Sequence, residues 1–325
     1  MPEHLQGVSM MVEQENANSA WDTNISRDLY AATFTPMADD HSLNLCAVAP
    51  MVEGLIEDGI EGLYVCGITG EGGSTSSGER RKVVEAFIQA SNGRIPVIVN
   101  VSADDPAESR RLAAHAASVG AAAISAVPHD AGDDVVRAEV RIATVLAKVA
   151  EGAPDLPFML YHIATNAVEG VDFVDLVNAC SDAIPTMAAV KFSDTRVHVL
   201  QVALALTSPS LKYYFGVDEM LASGLLAGAH GGIGSTYCFA APLYRRVVDA
   251  VVSGDLEVAR LAQSQSAQMV RTVLSHGGLS AQKAVMSLTG VACGPCRPPH
   301  PQISGATIEA LHTELEEIGF FEWAS

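Results

Sequence analysis

An α/β chain closed as a (β/α)8 TIM barrel and continued by helices alone is predicted by three observations. Eight apolar runs of strand length alternate with eight longer amphipathic stretches; the 325 residues leave room for a barrel of about 250; and the alternation stops near residue 254. The strand candidates are LYAATFTP (29–36), GLYVCG (62–67), PVIVNV (96–101), AAISAV (122–127), PFMLYHI (157–163), TMAAVKF (186–192), YYFGV (213–217) and GGIGST (231–236). Helix candidates at 43–58, 76–91, 106–119, 134–151, 172–180, 196–206, 218–228 and 240–252 carry apolar residues at three- and four-residue spacing. A doubly wound open sheet shares this alternation, but no strand here is followed by GxGxxG, so a dinucleotide fold has no support. Residues 1–25, rich in Glu, Gln, Asn and Ser without periodicity, read as a flexible leader. The barrel is expected over 26–253 and a C-terminal helical extension over 254–325, with helices near 255–274, 280–289 and 306–317.

Composition excludes several classes of function. A formal net charge of −19 repels phosphate backbones and anionic lipid surfaces, so neither nucleic acid nor membrane is an expected partner. The segment MPEHLQGVSM lacks a basic region followed by an apolar core, and no uninterrupted apolar run approaches the roughly 18 residues a membrane span needs. The expectation is a soluble, cytoplasmic protein. The six cysteines (46, 66, 180, 238, 293, 296) do not form a disulfide scaffold and read mostly as small buried hydrophobes. Cys293-Gly-Pro-Cys296 spells a redox dithiol, but that motif needs a strand before it and a helix opening at its first cysteine. Here it follows a helix and runs into Arg297-Pro298-Pro299.

The stretch TMAAVKFSD (186–194) places Lys191 within an apolar run, with Val190 before it and Phe192 after it. Of the five lysines, Lys82, Lys148, Lys212 and Lys283 lie in polar or mixed surroundings where an ammonium stays solvated. A strand this apolar is buried on both faces, and burial disfavours a charged amine, leaving free base to attack a carbonyl. That is the requirement for a Schiff-base lysine. The alternative is a strand-end lysine that reaches water or pairs with Asp194.

Barrel chemistry sits at the C-terminal strand ends. The residues there are Thr35 and Pro36, the loop Gly67-Ile68-Thr69-Gly70-Glu71, Tyr161 and His162, Lys191 and Ser193, Asp218 and Glu219, and Ser235 and Thr236. A nucleophilic lysine, a phenol, a loop of amides and hydroxyls and two carboxylates suit a 2-oxo acid joined to a polyhydroxylated aldehyde. Asp218 and Glu219 also read as charges complementing a helix N-terminus. His129, His162, His198 and His230 show no metal-site spacing with cysteines or carboxylates, and strand alternation turns His162 away from the face of Tyr161.

The blocks ATFTP (32–36), GITGEGGSTSSGER (67–80), LYHI (160–163), VKFSDT (190–195), FGVDEMLASGLLAGAHGGIGSTY (215–237) and GPCRPP (294–299) resemble the pyruvate-dependent class I aldolases of the N-acetylneuraminate lyase and dihydrodipicolinate synthase family. KFSDT with GVDE and GGIGSTY is most similar to the N-acetylneuraminate lyase branch. The resemblance implies that Lys191 forms a Schiff base with C2 of the oxo acid, without metal or other cofactor, and that Tyr161 moves the proton of the adjacent hydroxyl. Thr69, with the backbone amides of its loop at Ile68 and Gly70, would hold the substrate carboxylate; Asp218, Glu219 and Ser235 would bind the sugar hydroxyls, and Ser193, Gly216 and Gly234 would face the same pocket. It also implies a homo-oligomer, a tetramer or a dimer.

Three features depart from the family. Ile68 stands where a Thr or Ser usually completes the proton relay, the Ile163–Gly170 loop is longer, and Val127-Pro128-His129-Asp130 lacks an aromatic residue. The loop after Tyr161 has no arginine for a second carboxylate, which disfavours dihydrodipicolinate synthase chemistry. The expected function is cleavage of N-acetylneuraminate or a related 2-oxo-3-deoxy sugar acid. The alternatives are another pyruvate-dependent aldolase or dehydratase, or a catalytically weakened sugar-acid-binding paralogue.

Overall fold

The structure is a computed structural model that describes residues 28–128, 137–166 and 170–324. Eight parallel strands form a closed barrel: β1 (Asp28–Ala32), β2 (Gly62–Val65), β3 (Val97–Asn100), β4 (Ala123–Ala126), β5 (Phe158–Ile163), β6 (Met187–Ser193), β7 (Lys212–Phe215) and β8 (Gly231–Gly234), with β8 pairing back onto β1. The intervening helices are α1 (Val48–Glu57), α2 (Ser77–Ser91), α3 (Pro106–Ser118), α4 (Ala138–Ala150), α5 (Phe173–Ala183), α6 (Val197–Leu206), α7 (Leu221–Leu226) and α8 (Tyr237–Ser253). All eight expected strands and helices are present.

The strands read as continuous apolar runs because both their faces are covered. Toward the lumen, Ala32, Tyr64, Ile98, Met159, Tyr161, Ala189, Tyr214 and Ile233 fill the barrel. The alternate residues, such as Val65, Val99, Leu160, Val190 and Phe192, pack outward against the helices. Several helices start where a side chain supplies the missing acceptor. At α2, Ser76 and Glu79 exchange side-chain-to-backbone bonds in a capping box; Asp105 caps α3 ahead of Pro106; and Asp172 caps α5.

The strands end earlier than the sequence suggests: β1 stops at Ala32, β7 at Phe215 and β8 at Gly234. Thr35, Gly216, Asp218 and Ser235 therefore lie beyond the strand ends; the Gly216 amide still donates to the Phe192 carbonyl of β6 at 2.8 Å, Asp218 opens a single 3-10 turn, and Thr35 bonds across to another loop. The Thr35 hydroxyl donates to the Gly70 carbonyl at 2.6 Å. Helix α8 begins at Tyr237 rather than 240 and carries a non-helical residue, Ala240, two positions before Pro242. The 1–25 leader, His129, Asp130, the start of the fourth helix at 134–136 and residues 167–169 of the loop after β5 lie outside the described residues.

Beyond the barrel come α9 (Leu256–Ser275), α10 (Leu279–Leu288), α11 (Gly305–Glu317) and a single-turn α12 (Phe320–Trp323), the last not anticipated. One sequence expectation is overturned here. Lys283, assigned to solvent, is only 1% exposed on α10, and its ammonium is paired with buried Glu71 at 2.6 Å. The segment after α10 is anchored by Arg297, whose guanidinium bonds Glu79 and the carbonyls of His41 and Ser74. Cys293 and Cys296 are both fully buried beside it and are free thiols.

Candidate active site

Lys191 projects into the lumen near the C-terminal end of β6, because the alternation that sends Val190 and Phe192 outward sends it inward. The residue is 4% exposed. The ammonium nitrogen lies 4.2 Å from the centre of the Tyr64 ring and 4.4 Å from that of Tyr161, so two π-faces rather than an anion surround it. No carboxylate forms an ion pair with Lys191 among the described residues. Tyr161 is its direct neighbour in the β5–β6 register.

The alternative pairing with Asp194 does not form. That carboxylate accepts from Arg196 at 2.6 Å and lies 3.2 Å from His162 Nε2. Burial pushes Asp194 up, but bonds from the Arg196 side chain and backbone and from His162 outweigh it and hold the group at about 2. His162 faces outward, stacked on Phe192 and against Phe173, where burial pulls its imidazole below the usual histidine value despite Asp194.

Ser193 and Gly216 adjoin the lysine. The Ser193 hydroxyl is buried without a hydrogen-bond partner among the described residues, and a Cβ added to Gly216 would collide with it while coming within 3.3 Å of Lys191 Cε. Only a glycine leaves space there. Asp218, also buried, directs one carboxylate oxygen to the Thr236 amide at 2.9 Å and hydroxyl at 2.6 Å, with Ser235 Oγ at 3.5 Å. Its other oxygen lies over Gly234, where a Cβ would strike it. Burial raises Asp218 above the usual carboxylate range, against the Thr236 bonds and the charge of Lys191. Asp218 is thus half committed to Thr236, and with Glu219 it also stands in the first turn of the 3-10 helix Asp218–Met220, as the helix N-terminus reading allowed. Glu219 is half-buried beside it and is raised chiefly by burial.

The loop after β2 meets this region at Tyr161, with which Ile68 shares a cleft whose lining does not include Lys191. The Gly72 amide donates back to the Gly67 carbonyl and the Glu71 amide to that of Ile68, so the chain turns tightly around Thr69 and Gly70. Gly70 has little room for a side chain against Cys66 and Thr33, and Thr69 is partly exposed. Ile68, 54% exposed, lines a cleft of about 330 Å³ with Tyr161, Ile163, Asn100 and Arg80. Cys66, Ala103 and Val127 also line this cleft, so Ile68 stands on a mixed wall. Glu71, grouped with this mouth from the sequence, points away from it toward Lys283.

Several contributors escaped the sequence reading. The Tyr64 hydroxyl donates to Ser125 Oγ at 3.0 Å and accepts from Asn100 Nδ2 at 2.9 Å, which locks the ring under Lys191. Burial pushes this phenol well up. The signal available was a polar residue at the end of, or inside, an apolar strand. Asp218 is backed by a chain in which Thr236 meets Tyr244, Tyr244 meets Ser266, and Ser266 with Gln263 donates to the Asp218 carbonyl. Tyr244, Ser266 and Gln263 come from α8 and α9, and nothing local marked them.

The lyase from Gallus gallus named N-acetylneuraminate lyase is 34% identical over 297 residues, covering 89% of this chain and 95% of its own length. N-acetylneuraminate lyase A of Xenopus laevis is 36% identical, covering 84% of this chain and 90% of its own. Among solved structures, the N-acetylneuraminate lyase of Proteus mirabilis superposes with a TM-score of 0.84 at 29% identity, covering 90% of this chain and 99% of that one. The sialic acid aldolase of Aliivibrio salmonicida superposes equally well at 27% identity over 90% of this chain and 97% of its own. The profile of the dihydrodipicolinate synthetase family matches residues 26–318, and this chain, with its lumen lysine on the sixth strand, belongs to that family.

Proposed function

We propose that the protein is a Schiff-base aldolase, a carbon–carbon lyase that cleaves N-acetylneuraminate or a related 2-oxo-3-deoxy sugar acid to pyruvate and an aldehyde. The observation that carries the reading is a lysine 4% exposed in the lumen, between two tyrosine rings and without an ion pair among the described residues.

As free amine, the Lys191 nitrogen adds to C2 of the oxo acid, and loss of water gives the imine. Once protonated, the imine is an electron sink, so it takes the pair of the C3–C4 bond when that bond breaks. Tyr161, beside Lys191 in the register, removes the proton of the C4 hydroxyl as the aldehyde forms. The resulting enamine is protonated at C3, and water releases pyruvate and regenerates the lysine. No metal or further cofactor is needed for the electron flow. The turn at Ile68, Thr69 and Gly70 supplies amides for the substrate carboxylate. Ser193, Gly216, Asp218, Glu219, Gly234 and Ser235 form the wall toward the rest of the sugar.

The free thiols fit a reducing, cytoplasmic setting. A homo-oligomer, tetramer or dimer, is supported by the exposed apolar side chains Val202 and Leu206 on α6 and Leu226 on the adjacent α7. A barrel of 26–253 with a separate helical extension is the natural division of the chain. A weakened sugar-acid-binding paralogue is the second reading, favoured by Ile68 in the cleft beside Tyr161.

Borohydride reduction with pyruvate tests the first reading. One pyruvate-derived mass increment on Lys191 is expected, lost in Lys191→Ala. No adduct, or an adduct on another lysine, refutes the aldolase.

A further inference from the structure

We propose that Lys283 is a positioning residue for the carboxylate-holding loop, acting from α10 through Glu71. This rests on the role given above to Ile68, Thr69 and Gly70. Glu71 follows Gly70 directly and has φ +54°, a left-handed conformation that a residue with a Cβ keeps only where its surroundings impose it. Its side chain supplies that hold. One carboxylate oxygen accepts from Lys283 Nζ and the other from the Arg297 amide, both at 2.6 Å, while Lys283 Nζ also donates to the Pro295 carbonyl at 2.9 Å. Both charged side chains are essentially excluded from solvent.

Stability alone does not demand such a pair, because a buried ion pair is often replaceable by apolar side chains of similar volume without loss. What apolar contacts cannot reproduce is direction. Two oxygens bonded to two fixed donors define where the Glu71 side chain points, and hence how the peptides from Thr69 to Glu71 face the mouth. On the other side, Gly70 is held through its carbonyl by Thr35, and Gly72 is wedged against the Cys66 carbonyl with no space for a Cβ. The loop is fixed from the barrel on one flank and from the C-terminal helices on the other. It therefore meets a carboxylate already ordered and does not spend binding energy on its own ordering. The helices beyond the barrel thus complete the anion site.

The test uses Lys283→Met, Glu71→Gln and the double variant Glu71→Leu/Lys283→Met. Three readouts are taken: the pyruvate concentration giving half-maximal borohydride trapping, hydrogen exchange over residues 67–73 without ligand, and thermal unfolding. All folded variants are expected to need roughly tenfold to hundredfold more pyruvate, the range that a loop misplaced by up to an ångström produces. They should exchange faster at 67–73 and keep a trapping rate near wild type at saturating pyruvate. The double variant, with no unpaired buried charge, should regain thermal stability while keeping these defects, and it carries the test if Lys283→Met does not fold. Wild-type half-saturation and exchange in a folded variant, or their recovery together with stability in the double variant, overturn the proposal. If the wild-type protein forms no adduct, the aldolase reading fails, and exchange at 67–73 alone decides whether Lys283 orders the loop.

Discussion

Gly216→Ala probes the packing around Lys191 with a single methyl group. Gly216 is not in the left-handed region, so alanine is admissible to its backbone and the effect is steric. The new Cβ would overlap the Ser193 hydroxyl and stand 3.2 Å from Ser193 Cβ and 3.3 Å from Lys191 Cε, inside the 3.4 Å at which ordinary contact begins. Rotating the hydroxyl relieves the first contact but not the other two, so the strand end or the lysine itself must shift by a few tenths of an ångström. Overpacking of this kind costs about 1–3 kcal/mol, a fall of roughly 1.5–4.5 °C in Tm for a chain of this size. Because the displaced group is the nucleophile, pyruvate trapping should also slow by about tenfold or more. The assay is single-turnover borohydride trapping by intact mass beside a thermal melt. Adding Ser193→Gly removes two of the three contacts and should recover most of the Tm but only part of the rate. Trapping at the wild-type rate in Gly216→Ala would show that Lys191 and Ser193 do not share this space.

Ile68→Thr restores a hydroxyl next to Tyr161 and, if the relay is handicapped, should raise kcat on N-acetylneuraminate by up to about a hundredfold while leaving the Lys191 adduct unchanged. If the site is instead tuned to a more apolar substrate, a panel of 2-oxo acids will show a loss on that substrate. No change on any substrate means that position 68 does not face the pocket. His162 is held below its ordinary value near 6.5, so the unfolded chain binds the proton more readily; its stability contribution is present above pH 6.5 and lost as the pH falls through the lower folded-state value. Asp194, lowered to about 2, acts in the same direction only at more acidic pH. The drop in Tm between pH 7 and 5 should therefore be smaller in His162→Gln than in wild type, and equal slopes refute the assignment. Burial pushes Cys293 up to about 12 and raises Cys296, so both remain thiols. Cys293→Ser/Cys296→Ser should keep activity near wild type, and loss of turnover in a folded variant reopens the redox reading.

The sequence by itself determined the barrel, because parallel strands covered on both faces leave continuous apolar runs, and helices on one side leave a three-and-four spacing. It also determined that Lys191 is unlike the solvated lysines, since Val190 and Phe192 on either side of it made burial local information. Strand alternation was enough to turn His162 outward. Only the tertiary structure decided that Lys283 is as buried as the core around it, since its partner Glu71 lies 212 residues away and an α10 window containing Gln282 and Ser287 looks half polar. The same holds for Tyr64, clamped by Asn100 and Ser125 from two further strands, and for Asp218, half occupied by Thr236. A hydrophobic pattern is a property of neighbours along the chain, whereas a charge or hydroxyl is assigned its role by whichever atom the closed barrel brings to it.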